Sequence, residues 1–174
     1  MMVKFPVTLA VVNEMDASAF VAAFGDVAEH TPWVANRAAH GRPFVSLNAM
    51  IDAFSEEIGA ATQDEKLALL RAHPDLAGRA AIAGKVAEES RREQAGAGLD
   101  RLTPAEFARF TQLNEAYKAK FGFPFILAVR GADKQTILGA FADRIQRTPE
   151  DELAMALSQV ARIIRFRIED RVTP

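Results

Sequence analysis

Residues 64–76, DEKLALLRAHPDL, have the pattern of an amphipathic helix that is followed directly by a His-Pro pair. A proline ring disfavours the α conformation of the preceding residue, so the helix Asp64–Ala72 is predicted to end at or just before His73. The imidazole then projects from a helix end. Histidine titrates closest to neutrality, at about pH 6.5, which suits proton transfer. The alternative is a helix terminator with a solvated ring.

Length and composition bound the class of protein. With 174 residues, 49% of them hydrophobic, the chain can bury one core, so we expect a single compact domain spanning 1–174. The formal net charge of -2 argues against nucleic acid as a partner. The absence of cysteine excludes disulfides, thiolate metal sites and cysteine nucleophiles. No segment approaches the roughly 20 apolar residues of a membrane span, so we expect a cytoplasmic protein without a membrane partner.

Apolar residues recur at spacings of three and four and seldom at two, which predicts an all-α chain of about eight helices. The predicted helices are Asp16 to about Glu29, Pro32 to about Ala39 after Thr31, Ser46 to Gly59, Asp64–Ala72, Val86–Ala95, Thr103-Pro104 to Gly122, one from Asp133, and one from Thr148-Pro149 to about Arg171. No strands are required. Residues 75–85 are interpreted as a broken connection with some helical turns.

The apolar run Phe121–Gly131 is either a short strand or an extended buried segment near 123–130. We favour the extended segment because no second strand offers to pair with it. Within it, Phe125–Val129 is either simple core or a source of unpaired backbone N–H and C=O groups.

Two polar sets carry chemical interest. Ser90, Glu93 and Gln94 fall at i, i+3 and i+4, so a helix places them on one face, either to bind a small polar ligand or simply in solvent. In the last predicted helix, apolar residues recur at steps of three and four, and the next such step places Arg167 on the same face. A buried guanidinium must be paired or solvated, so Arg167 is either a structural ion pair or a binder of a carboxylate or carbonyl.

Metal binding is not expected. His30 and His40 have no carboxylate at a metal-ligand offset, and the chain has no His-Glu-x-x-His motif.

Several motifs occur along the chain in this order: Glu29-His30-Thr31-Pro32-Trp33, Arg42-Pro43-Phe44, His73-Pro74-Asp75-Leu76, Ser90-x-x-Glu93-Gln94, Leu113-Asn114-x-x-Tyr117, Phe121-Gly122-Phe123-Pro124-Phe125 and Phe166-Arg167-Ile168. With these motifs, residues 8–172 resemble one family, the 2-oxo-4-hydroxy-4-carboxy-5-ureidoimidazoline (OHCU) decarboxylases of urate breakdown. In the family, leucine usually follows the arginine of the last motif, where this chain has Ile168.

The resemblance implies an all-helical homodimer that converts OHCU to (S)-allantoin and carbon dioxide without metal or organic cofactor. It implies His73 as acid and base, Glu93 as a catalytic carboxylate that orients the substrate, and Arg167 as a holder of anionic or carbonyl oxygens. The substrate-binding positions that it implies are Pro74, Ser90, Arg91, Arg92, Glu93, Gln94, Phe125, Ile126, Leu127, Ala128 and Val129.

Two alternatives from other classes remain. A sensor would bind a purine-derived ligand without turning it over. A helical interaction protein would use the same polar clusters as salt bridges across a dimer interface.

Overall fold

The computed structural model describes residues 2–78 and 86–174, and nine α-helices make up most of this described part. They are α1 Leu9–Glu14, α2 Ala17–Phe24, α3 Trp33–Ala38, α4 Leu47–Ala60, α5 Gln63–Arg71, α6 Glu88–Gly96, α7 Pro104–Phe121, α8 Lys134–Arg144 and α9 Pro149–Arg171. A 3-10 helix, Ala39–Gly41, follows α3. The predicted all-α class is confirmed. None of the helices in the described ranges is long and apolar enough to cross a membrane.

Most helix starts follow from capping side chains. Asp16, Ser46 and Asp133 each accept a hydrogen bond from the backbone N–H three residues later, at 2.7, 3.1 and 2.8 Å. Thr103 opens α7 through a capping box, in which side chain and backbone bond reciprocally across the first turn. Gly122 closes α7 in the left-handed conformation, with φ of 78°, which glycine adopts without steric cost. These boundaries agree with the prediction.

Predictions for the N-terminal region were partly wrong. Helix α1 was not predicted, because it has six residues and buries only Val12, too little for a recognisable stripe. The helix predicted to reach Glu29 ends at Phe24. Beyond it the chain turns, and His30 takes a φ of 47°, outside the helical range.

Two smaller features also differ from the prediction. Thr31 does not cap α3, because its hydroxyl donates to the Glu29 carbonyl at 2.6 Å and Pro32 occupies the cap position. Two strands, β1 Val7–Thr8 and β2 Val172–Thr173, pair in parallel. Strands of two residues have no periodicity to detect. Of the predicted connection 75–85, the part from residue 79 onwards lies outside the described residues.

By its internal contacts the chain divides into two compact units, Met1–Ala72 with Val160–Pro174 and His73–Gln159. The first unit has an aromatic core around Phe20, whose ring centroid lies 5.0 Å from that of Phe24 and 6.1 Å from that of Phe54.

The second unit is built around Phe125, whose ring stacks on Phe141 with centroids 3.7 Å apart. A buried polar cluster accompanies it. Arg144 Nε donates to Glu152 Oε1 at 2.7 Å, and the Tyr117 hydroxyl donates to the same oxygen. Burial is the main cause that raises the pKa of Tyr117 above its usual range, and the hydrogen bond to Glu152 raises it further. The hydroxyl therefore keeps the proton that it donates.

Candidate active site

His73 lies just past the end of α5, as predicted. The helix ends at Arg71, and Ala72 is its C-cap, with its N–H donating to the Ala68 carbonyl at 3.1 Å. His73 is only 7% exposed, so its ring is buried and the alternative of a solvated ring is wrong.

The irregular segment that follows, residues 74–78, is here called the histidine loop. Gln94 of α6 holds its far end: Oε1 accepts from the Ala77 N–H at 2.8 Å, and Nε2 lies 3.5 Å from the Asp75 carbonyl oxygen. Ala77 has a φ of 54°, a left-handed conformation that costs a residue with a side chain roughly 1–2 kcal/mol. The contact with Gln94 helps to stabilise this conformation.

Helix α7 holds the same loop at two further points. Asn114 Nδ2 donates to the Leu76 carbonyl at 2.8 Å, and both residues are buried. Lys118, one turn later on α7, forms an ion pair with Asp75 Oδ2 at 2.8 Å. Sequence reasoning did not assign Asn114 or Lys118 to the site, although Asn114 belongs to one of the family motifs.

The polar face predicted on α6 is present. Ser90 and Gln94 are each 5% exposed, and Glu93 beside them is half-buried. Arg91 and Arg92 point the other way: both are exposed, and Arg92 pairs with the glutamate four residues before it. The prediction of one shared face for Ser90, Glu93 and Gln94 is confirmed.

The apolar segment 123–129 forms neither a helix nor a strand, and the prediction that no strand pairs with it is confirmed within the described residues. Phe125, Ile126, Ala128 and Val129 are buried, and Leu127 is half-buried.

Side chains bond two of the backbone groups in this segment. Arg144 Nη1 donates to the Ile126 carbonyl at 2.6 Å, and the Ala128 N–H donates to Gln159 Oε1 at 3.0 Å. The expectation that the segment offers unpaired backbone groups is therefore wrong at Ile126 and Ala128. A buried backbone group without a partner is costly, which explains why helical side chains replace the missing strand.

Arg167 is 2% exposed and is paired in the first unit. Its Nη1 donates to Glu29 Oε2 at 2.9 Å and lies 3.3 Å from the Val27 carbonyl oxygen. Glu29 is 1% exposed, so the two opposite charges are buried together. Sequence reasoning missed Glu29 as the partner, and the only signal for it was its place at the start of a family motif.

Within the second unit the structure joins Gln94 of the α6 face to the loop that follows His73. Phe125–Val129 lies in the same unit, whereas Arg167 belongs to the first unit with Glu29. In the described part of the chain, no three His, Cys, Asp or Glu residues are grouped so that they could hold a metal ion. The second unit therefore contains a buried imidazole with carboxylates and amides, and the first unit contains a guanidinium that Glu29 holds.

Comparison with solved structures identifies the class of fold. The crystal structure of (S)-allantoin synthase matches with a TM-score of 0.78 and 32% identity, over 97% of this chain and 54% of that chain. The chain thus spans about half the length of that protein. A crystal structure of OHCU decarboxylase in the presence of (S)-allantoin has a TM-score of 0.62 at 20% identity, over 78% of this chain and 87% of that one, and shows the shared all-α fold.

Comparison of sequences identifies the family. The family model of OHCU decarboxylase matches residues 13–169. The OHCU decarboxylase of Halalkalicoccus jeotgali is 42% identical over 167 residues, 96% of this chain and 93% of the relative. That of Mus musculus is 41% identical over 159 residues, 91% of this chain and 89% of the relative. The chain belongs to the OHCU decarboxylase family.

Proposed function

We propose that this chain is a carboxy-lyase that converts OHCU to (S)-allantoin and carbon dioxide, the last step from urate to allantoin. The observation that carries the proposal is family membership over residues 13–169. The buried position of His73 at the end of α5 supports it, because a proton-transfer group shielded from bulk water can act on a bound substrate.

The substrate supplies its own electron sink. When the bond between the ring carbon and the carboxylate breaks, carbon dioxide leaves and the electron pair moves towards the adjacent C=N, whose nitrogen gains a proton. The resulting enol then loses its hydroxyl proton as the ring carbonyl forms, and the neighbouring carbon is protonated. The enzyme has to hold the substrate, move these protons and deliver the last one to a single face.

Each of the three catalytic residues has a proposed role. His73 takes the proton of the substrate hydroxyl and serves in proton delivery. Glu93 orients the ureido or hydroxyl group and supports His73. Arg167 holds anionic or carbonyl oxygens and stabilises the charge that develops, with its guanidinium fixed by Glu29.

The remaining predicted positions would bind the substrate. Pro74 and the set Ser90–Gln94 would contact the ureido group, and Phe125–Val129 the edge of the ring. The side chains of Arg91 and Arg92 are exposed, so we expect the contribution of this set to come from Ser90, Glu93 and Gln94.

Further properties belong to the same proposal. We propose a homodimer that works in the cytoplasm as one OHCU decarboxylase domain over residues 1–174. The chemistry described above needs neither a metal nor an organic cofactor, and the proposed partners include no nucleic acid and no membrane.

The proposal is tested by following fresh OHCU with and without the purified protein. We expect the protein to accelerate loss of OHCU and release of carbon dioxide, and His73→Ala to lower kcat by about 10²–10⁴-fold, the usual contribution of general acid and base catalysis. Circular dichroism in the far ultraviolet controls for folding of the variant. Binding of OHCU without turnover by the wild-type protein would favour the sensor and contradict the proposal.

The role of Arg167 is tested by Arg167→Lys. Lysine keeps the charge next to Glu29 but lacks the planar fork, so a substrate-binding role predicts a raised KM and a lowered kcat. Unchanged kinetics would leave Arg167 as a structural ion pair with Glu29.

A further inference from the structure

The histidine loop has no regular backbone structure, and polar side chains from two helices bond to it. Gln94 bonds the Ala77 N–H, Asn114 bonds the Leu76 carbonyl, and Lys118 bonds the Asp75 carboxylate. Three consecutive loop residues are thus each held by a different side chain.

The loop is also strained at its far end. Ala77 has a φ of 54°, and such a conformation persists only where surrounding contacts impose it. The side chains of α6 and α7 that contact the loop therefore hold it in one conformation. His73 directly precedes this loop in the chain.

Asn114 makes one hydrogen bond to the loop and, within the described part of the chain, leaves its other polar atom unsatisfied. It is 2% exposed, and Nδ2 donates to the Leu76 carbonyl, but Oδ1 is buried without a hydrogen-bond partner among residues 2–78 and 86–174. A buried acceptor without a partner destabilises the folded state. A leucine of similar size would remove this unsatisfied acceptor but would also leave the buried Leu76 carbonyl without its donor, so the two changes oppose each other in the free energy of unfolding.

Asn114 and Lys118 act from one face of α7. They are four residues apart, so their side chains lie one above the other on the helix. Their contacts fix neighbouring loop residues, Leu76 through its backbone and Asp75 through its side chain. These two contacts together fix both the position and the orientation of the loop relative to α7.

We propose that Asn114 is a positioning residue that, with Lys118 and Gln94, sets the histidine loop and thereby the place of the His73 imidazole. The inference rests on the proposed function, because it assigns Asn114 a part in the same decarboxylation. A misplacement of about 1 Å at a reacting group can cost about 100-fold in rate, so a loop that fixes the imidazole acts on kcat without touching the substrate.

The main test is Asn114→Leu in the full-length protein. We expect kcat with OHCU to fall about 10- to 100-fold with little change in KM, because the substrate is bound but the imidazole is misplaced. The ring C–H signal of His73, assigned in the NMR spectrum by comparison with His73→Ala, should move.

Ile137→Val is the matched control. Ile137 is fully buried in α8 of the same unit, and the substitution destabilises the core by the loss of one methylene while it keeps every side-chain hydrogen bond to the loop. It should leave kcat and the His73 signal unchanged. The proposal is overturned if Asn114→Leu keeps kcat within about twofold and leaves the His73 signal in place, or if Ile137→Val lowers kcat equally.

A second pair of variants decides the matter if Asn114→Leu does not fold. Lys118→Glu places a carboxylate against that of Asp75 and beside Glu115, which Lys118 also contacts, and should lower kcat about fivefold. Adding Asp75→Lys should restore much of the loss by reversing the pair. Failure of the reversed pair to recover would count against the proposal. If the wild-type protein has no activity on OHCU, the proposed function fails, whereas the His73 signal still tests the positioning role.

Discussion

The histidine loop and the apolar segment 123–129 both lack regular structure and belong to the same unit, but they are stabilised differently. The segment buries apolar side chains, with Phe125 stacked on Phe141, and Arg144 and Gln159 bond its backbone. The loop is held by Gln94, Asn114 and Lys118, and its ion pair is partly exposed. Leu76 and Ala77 of the loop are buried as well, so the two regions differ in what accompanies the burial: ring stacking in the segment, and a partly exposed ion pair with two side-chain hydrogen bonds in the loop.

The largest expected effect is on the segment. Arg144→Met removes the partner of Glu152, which is fully buried, and the donor to the Ile126 carbonyl. Loss of one partner of a buried pair destabilises by about 3–5 kcal/mol, as measured by urea unfolding. The double variant Arg144→Met with Glu152→Leu should be less destabilised, because no charge remains buried. If the free energy of unfolding falls equally in both variants, the unpaired buried charge of Glu152 is not the cause of the destabilisation.

A smaller effect is expected for Gln159→Leu. The Ala128 N–H loses its acceptor, which should cost about 1–3 kcal/mol in the free energy of unfolding and speed hydrogen exchange at that amide. The control is Gln146→Leu, since Gln146 is exposed and such changes stay within about 0.5 kcal/mol. If both variants behave alike, the side-chain bond to the segment contributes nothing.

The smallest effect distinguishes the loop by its response to pH. The bond to Asp75 raises the pKa of Lys118 above its ordinary value of 10.5. A raised folded-state pKa means that the stabilisation is complete below pH 10.5 and is lost as the pH rises through the pKa of the folded state. The free energy of unfolding of the wild-type protein should exceed that of Lys118→Met by about 0.2–1 kcal/mol at neutral pH.

This difference should disappear in alkaline solution, as followed by urea unfolding from pH 7 upwards. Lys118→Arg should keep its advantage over Lys118→Met at high pH, because a guanidinium stays charged. The segment 123–129 should show no such alkaline change, since Arg144 is the cation that bonds it. A difference between the wild-type protein and Lys118→Met that persists at high pH would rule out the ion pair as its source.

The features that could be predicted from the sequence are those with local causes. The end of α5 follows from the proline after His73, and both ends of α7 follow from Thr103-Pro104 and Gly122. The shared face of Ser90, Glu93 and Gln94 follows from helical spacing.

The features that could not be predicted depend on contacts between residues far apart in the chain. Glu29 and Arg167 are separated by 138 residues, and Asn114 and Leu76 by 38. Periodicity indicates that Arg167 is buried and that Asn114 lies on the inner face of α7, but it does not indicate which group each one meets. Helix α1 was missed for a different reason, since six residues with one buried side chain make no stripe.

The enantiomeric excess of the allantoin formed shows whether the imidazole of His73 controls proton delivery during loss of carbon dioxide, as we propose. Fresh OHCU would be treated with equal, high concentrations of the wild-type protein and of His73→Ala, and the product analysed by chiral chromatography before it racemises. We expect (S)-allantoin in large excess from the wild-type protein and nearly racemic allantoin, at the uncatalysed rate, from the variant. Formation of (S)-allantoin by His73→Ala at the wild-type rate and purity would contradict this role of His73.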